Sequence, residues 1–118
     1  MYKVIIAGTR TFNDYKLLQD KVNFYLSKRQ SSTIQIVSGT SRGADKLGEC
    51  YAKEHNIPVK RFPADWDNLG KAAGYYRNKQ MAEYADACIV FWDGKSRGTK
   101  LMIDLAKQYN LALRIVRY

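Results

Sequence analysis

Residues 4–10 read VIIAGTR and residues 87–94 read ACIVFWDG, and these two stretches decide the fold. In each, a run of apolar side chains, over residues 4–7 and 87–92, is followed within two residues by a glycine. Strands that are apolar on both faces are typical of the centre of a parallel sheet that helices cover on both sides. The sequence therefore predicts an α/β fold built around two central strands.

Working outward from these strands, strand-like and helix-like segments alternate along the chain. The predicted strands cover residues 2–7, 33–37, 59–62, 87–92 and 111–116, and the predicted helices lie over residues 14–28, 44–56, 72–84 and around 102–109. This alternation predicts a Rossmann-like three-layer sandwich with a five-stranded parallel sheet and right-handed crossovers. We assign residues 1–118 to one such domain.

Charged residues within two strands predict the order of the sheet. Lys60 and Arg61 interrupt the third strand, and Arg114 and Arg117 interrupt the fifth. Charge of this kind is typical of edge strands, where it blocks further pairing. The order 3-2-1-4-5 places both strands at edges. The alternative, a flavodoxin-like 2-1-3-4-5 order, would bury the charged third strand.

Three loops of this predicted sheet meet at the switch point between the first and fourth strands, where ligands of open α/β sheets bind. All three combine glycine, hydroxyl and arginine residues, which suit a phosphate cradle of backbone N–H and guanidinium groups. The candidate binding residues in them are Gly8, Thr9, Arg10, Ser38, Gly39, Arg42, Gly43, Asp45, Asp93, Gly94, Ser96, Arg97, Gly98 and Thr99. We expect Gly39 and Gly43 to leave room for an anion, although glycine and serine also form ordinary turns.

A fourth candidate cluster follows the third strand. Trp66 has the ring to stack on a base, and Asp65 has the carboxylate to accept ribose hydroxyl groups. The competing interpretation is that Trp66 covers the sheet edge and that Asp65 caps the next helix. Arg77 shares a helical face with Met81, so its guanidinium either reaches a cleft or extends to solvent.

Composition restricts the function classes. Twenty Lys and Arg against 11 Asp and Glu give a net charge of +9, which favours polyanionic partners or serves solubility alone. The chain lacks the glycine patterns of dinucleotide-binding and Walker-type proteins, and its single histidine and two cysteines predict neither a catalytic triad nor a metal site. No cofactor is predicted. Apolar runs are too short for a membrane span, and no signal peptide is evident, so we expect a cytoplasmic protein.

Several of these motifs together resemble the SLOG superfamily, most closely its YspA-related branch, which is itself similar to YpsA. The resemblance runs from Val4 to about Ala106. It rests on Gly8-Thr9-Arg10, Ser38-Gly39, Gly43-Ala44-Asp45, residues 62–66, Gly70-Lys71, Gly74, Arg77-Asn78, Met81, residues 91–94 and Gly98-Thr99. It implies a Rossmann-like domain that binds or senses a nucleotide or a nucleotide-derived, ADP-ribose-like ligand, with no established reaction.

The same superfamily includes the LOG phosphoribohydrolases and the DNA-binding core of the DNA-processing protein of transformation. LOG enzymes carry a G-G-x-G-T-x-x-E motif, and here Met102 stands at the position of its glutamate, while Arg77 and Met81 keep the R-x-x-x-M pair. The resemblance thus implies binding without the LOG reaction. Two alternatives stay open: an N-glycosidic hydrolase that uses Asp45, Asp65 or Asp93, and a single-stranded nucleic-acid-binding module. Packing of an Arg- and Tyr-rich helix against its copy would give a homodimer.

Overall fold

The computed structural model describes residues 1–118 and confirms the predicted architecture. Five parallel strands form one sheet in the order β3-β2-β1-β4-β5, so the flavodoxin-like alternative is wrong. The strands are β1 (Tyr2–Gly8), β2 (Ile34–Ser38), β3 (Val59–Arg61), β4 (Ala87–Trp92) and β5 (Ala112–Arg117). The helices are α1 (Tyr15–Tyr25), α2 (Ala44–Glu54), α3 (Trp66–Leu69), α4 (Ala73–Tyr84) and α5 (Arg97–Gln108), with 3-10 turns at Ser31–Thr33 and Gly70–Ala72.

Helices cover the sheet on both faces, and alternate residues of β1 show the division. Val4 and Ile6 pack in the cluster that α1 and α2 cover, whereas Ile5 and Ala7 pack in the cluster that α4 and α5 cover. Burying an aliphatic side chain of this size stabilises the fold by about 1.5–3 kcal/mol. None of the helices has the length and apolar character needed to cross a bilayer.

The charged strands lie at the edges of the sheet, as predicted. β3 is only three residues long, and its Lys60 and Arg61 are exposed. On the opposite edge, Arg114 and Arg117 of β5 are exposed as well. Exposed charge at both edges opposes pairing with a further strand, and the observed strand order agrees with this.

The segment between β3 and α4 contains more regular structure than the sequence predicted. Asp65 accepts a hydrogen bond from the backbone N–H of Asn68 at 3.3 Å and thereby caps the one-turn helix α3. Gly70, with φ at 53°, ends it. The capping interpretation of Asp65 is therefore the one that the structure supports, since a single turn satisfies its carboxylate locally.

Helix α2 lies unusually close to β1 at Gly48. A Cβ added to this glycine would stand 2.8 Å from Cγ2 of Ile6, a side chain at the centre of the sheet. Ile6 is fully buried and cannot move aside without disturbing its neighbours. The approach of α2 to the sheet, which also sets the position of Asp45 one turn earlier, thus requires glycine at this point.

Replacing Gly48 with alanine is expected to lower the free energy of unfolding by about 1–3 kcal/mol, the usual cost of overpacking a core. Helix propensity alone would make the alanine variant more stable by about 1 kcal/mol, because alanine is favoured over glycine in a helix interior. A loss of stability would therefore be due to packing. Urea denaturation provides the measurement. Gly98→Ala is the control, because an added Cβ there meets no atom within 4 Å. Equal stability changes in the two variants would contradict the packing argument.

Candidate functional site

A cleft opens at the carboxyl edge of the sheet where β1 ends, between α4 and the first turn of α5. The more enclosed part, which we call the main cleft, has a volume of about 280 Å³, and an adjoining, shallower part, the side cleft, has about 390 Å³. Arg10, Ser41 and Arg77 line both parts. The main cleft lies at the predicted switch point of the sheet, and the side cleft extends from it towards α3.

Arg77 is the most constrained charged group of this cleft. It is 8% exposed. Its Nη1 donates to the carbonyl of Gly39, and its Nε donates to Oδ1 of Asn78 at 2.8 Å. Burial lowers the pKa of the Arg77 guanidinium; the nearby Asp45 carboxylate opposes this shift, and the charge of Arg10 adds to it. The interpretation in which Arg77 extends to solvent is wrong, because the helix directs its head into the protein beside the cleft.

Asp45, in the first turn of α2, is a buried carboxylate that also lines the main cleft. Its Oδ2 accepts the backbone N–H of Ser41 at 3.0 Å, and no cation lies within ion-pair distance of it. Burial raises the pKa of Asp45 to about 6, although the Ser41 hydrogen bond and the charge of Arg77 act against the shift. The site therefore contains a carboxyl group that changes charge near neutral pH.

Thr9 ties the three loops of the carboxyl edge together. Its N–H donates to the carbonyl of Phe91 at 2.9 Å, its Oγ1 accepts the N–H of Asp93 at 3.2 Å, and its carbonyl accepts the N–H of Ala44 at 3.4 Å. Gly43, with φ at 78°, stands against the same loop, because an added Cβ would lie 2.5 Å from the carbonyl oxygens of Thr9 and Arg10. Gly43 is thus needed for packing between loops, and its approach to an anion stays a prediction.

Gly39 and Ser38 are likewise occupied by contacts within the protein. A Cβ on Gly39 would stand 2.9 Å from Oδ2 of Asp45 and 3.1 Å from Nη1 of Arg77, so these side chains already fill the space above it. The Ser38 hydroxyl donates to Glu49 at 2.6 Å and accepts the N–H of Thr40 at 3.1 Å. Gly39 therefore packs against two side chains that line the cleft, and neither Gly39 nor Ser38 lines it.

The loop after β4 positions the N-terminus of α5. Asp93 accepts the N–H groups of Lys95 and Ser96 at 2.8 and 2.9 Å, and these bonds lower the pKa of Asp93. Ser96 caps the helix by accepting the N–H of Thr99 at 3.4 Å. Gly98 and Thr99 then present the positive end of the helix to the cleft.

The structure brings about half of the predicted site residues to the cleft. Those that line it are Gly8, Arg10, Arg42, Asp45, Trp66, Arg77, Gly98 and Thr99. Those that line neither part are Thr9, Ser38, Gly39, Gly43, Asp65, Asp93, Gly94, Ser96 and Arg97. Lining residues outside the predicted set include Ser41, Lys71, Gly74, Tyr75, Asn78 and Met81.

The helical spacing around Arg77 contained the signal for several of the missed residues. Gly74, Asn78 and Met81 lie three before, one after and four after it, which places them on or next to its face of α4. The floor of the main cleft is apolar and includes Met81 and Met102, each 2% exposed. No three histidine, cysteine or acidic side chains come together as metal ligands.

Known proteins share both the sequence pattern and the fold. Residues 2–68 match the model of the YspA, cpYpsA-related SLOG family. The chain is 32% identical over 106 residues to the gene 61 protein of Mycobacterium phage D29, covering 85% of this chain and 84% of that protein. DNA processing protein A from Helicobacter pylori, which binds single-stranded DNA, is similar in fold with a TM-score of 0.69 and 22% identity. The match covers 97% of this chain and 64%, under two thirds, of that one.

Replacing Asp45 with asparagine is expected to change how stability depends on pH. The folded-state pKa of about 6 lies above the ordinary 3.8, so the folded protein binds the proton more tightly. The wild type should therefore gain about 2 kcal/mol relative to the variant as pH falls from 7 to 4. This contribution is complete below about pH 4 and is lost as pH rises through 6. Urea titrations of both proteins across this range test it, and a difference in stability that stays constant with pH would contradict it.

Proposed function

The chain belongs to the YspA, cpYpsA-related SLOG family, and on this premise we propose that it binds a nucleotide or a nucleotide-derived ligand in the cleft described above. The observation that carries the proposal is Arg77, a buried cation held in place beside a cleft and not paired with a carboxylate. Asp45 attracts this guanidinium from beyond ion-pair distance and offsets only part of the cost of burying its charge. An anionic ligand that reaches Arg77 supplies the direct partner that the protein does not. The remaining guanidinium N–H groups of Arg77 have no partner in the protein.

The groups around Arg77 suit a phosphate. Arg10 lines both parts of the cleft, and Lys71 lines the main part, so three cations face one space. Gly98 and Thr99 add the N-terminus of α5, where backbone N–H groups favour an anion. Charge-assisted hydrogen bonds from arginine to phosphate oxygens are the strongest contacts available to such a site.

The rest of a nucleotide fits the other surfaces of the cleft. Asp45 presents a carboxyl group that accepts a ribose hydroxyl when ionised. Trp66, in the side cleft, offers an exposed indole face for a base. Since Asp65 is used in capping α3, we transfer the proposed ribose contact from Asp65 to Asp45.

Hydrolysis of an N-glycosidic bond is the second candidate function, and one observation favours it. Asp45 is the only carboxylate that lines either part of the cleft, so it takes precedence over Asp65 and Asp93 as a catalytic group. Its elevated pKa resembles that of tuned general acids. Against catalysis, Met102, which stands at the sequence position of the LOG glutamate, puts a thioether at the floor of the cleft. We therefore propose binding as the function.

Replacing Arg10 with alanine is expected to weaken the binding of adenosine monophosphate about ten- to a hundredfold, because one charge-assisted phosphate contact is lost. Isothermal titration calorimetry at one fixed salt concentration gives the affinity. Arg114→Ala is the matched control, since it removes the same charge from the exposed edge strand β5. Equal weakening in both variants would show that only net charge matters and would overturn the assignment to the cleft.

Incubation of the purified protein with adenosine monophosphate is expected to release no free adenine above background. The reason is electrostatic: without a carboxylate at Met102, the positive charge that develops on the ribose is less stabilised, which costs about 10²–10³ in rate. Chromatography of the mixture over several hours provides the measurement. Substantial release of adenine that disappears in Asp45→Asn would establish the hydrolase instead.

A further inference from the structure

Three exposed aromatic rings follow one another along the α3–α4 segment beside the cleft. Trp66, Tyr75 and Tyr76 are 51%, 42% and 47% exposed, and we call them the aromatic ridge. The Trp66 ring lies over Gly74, with Cη2 3.6 Å from the position of an added Cβ, and the rings of Tyr75 and Tyr76 meet edge to face at 5.4 Å. Rings exposed next to one another form a contiguous apolar surface, and such surfaces mark interaction sites more often than single exposed rings do.

The ridge is continuous with the cleft. Trp66 lines the side part and Tyr75 lines the main part, whereas Tyr76 lines neither and extends the surface beyond the cleft. Lys71 stands on the same segment and lines the main cleft. Ring faces thus follow directly on the cations that face the proposed phosphate, and the whole chain carries a net charge of +9.

We propose that the ligand is single-stranded nucleic acid of two or more nucleotides, with one nucleotide in the cleft and neighbouring bases stacked on the aromatic ridge. This inference rests on the proposed function, which it extends from a nucleotide to a strand. Cationic grooves flanked by stacking rings are the general means of holding single strands, because every base offers a π-face. A free mononucleotide has no further base to place on Tyr76.

A second copy of the chain is the competing occupant of the ridge. Two copies would each bring a net charge of +9 and would place Lys71, Arg10 and Arg42 near one another, so their charges oppose association. A polyanionic strand is attracted by the same charges. Charge complementarity therefore favours nucleic acid over self-association.

The test is a series of oligothymidylates from one to eight nucleotides, with affinities measured at one salt concentration for the wild type, Tyr76→Ala and Phe24→Ala. Phe24 is the matched control, since it is 72% exposed on α1 at the opposite face of the sheet. We expect affinity to rise with length, Tyr76→Ala to weaken binding of the longer strands about 5- to 150-fold, and Phe24→Ala to leave it unchanged. Mononucleotide binding should be the same in all three proteins.

An eight-nucleotide strand of abasic sites separates stacking from charge, because it keeps the phosphates and lacks the bases. Binding as tight as that of the thymidylate strand would overturn the inference, as would an unchanged affinity in Tyr76→Ala. A dimer in sedimentation experiments that Tyr76→Ala dissociates would assign the ridge to self-association and overturn it too. The proposed function fails separately: mononucleotide that does not bind the wild type at any concentration refutes the cleft itself.

Discussion

The close approach of the loop after β1 to its neighbours is the constraint on which the carboxyl edge of this protein depends. Gly8 lies directly against the Phe91 carbonyl, and Gly43 lies against the carbonyls of Thr9 and Arg10. Hydrogen bonds of Thr9 to both neighbouring loops hold this contact. These contacts fix three loops to one another at the edge of the sheet where the cleft opens.

Burial of opposite charges defines the electrostatics of the site. Burial disfavours ionisation of both Arg77 and Asp45, and their mutual attraction offsets only part of that cost. The protein keeps Arg77 by hydrogen bonds to the Gly39 carbonyl and Asn78 in place of an ion pair. Burying these two charged groups lowers the stability of the fold, and the aliphatic clusters on the two faces of the sheet offset that loss.

The strand order and the alternation of helices and strands could be predicted from the sequence, because apolar runs, helical spacing and charged strand residues all indicated the same fold. Lys60 and Arg114 indicated the edges of the sheet, and the motifs indicated the family correctly. The role of individual glycines could not be predicted, since Gly43 packs on a loop more than 30 residues away in the chain and Gly98 faces open space. Ser38 was predicted to bind the ligand, but its hydroxyl donates to Glu49 in α2. That contact becomes visible only in the folded chain.

The hydrogen bonds that fix Arg77 also determine what kind of discrimination the cleft is capable of. Its rotamer is already set in the folded chain, so a ligand that meets it avoids an ordering cost of about 0.5–1.5 kcal/mol. Arg10 is exposed, has no side-chain hydrogen bond, and adapts to the molecule it contacts. The rigid Arg77 selects ligands by the position of one acidic group. The adaptable Arg10 accepts ligands that differ in the rest of their structure.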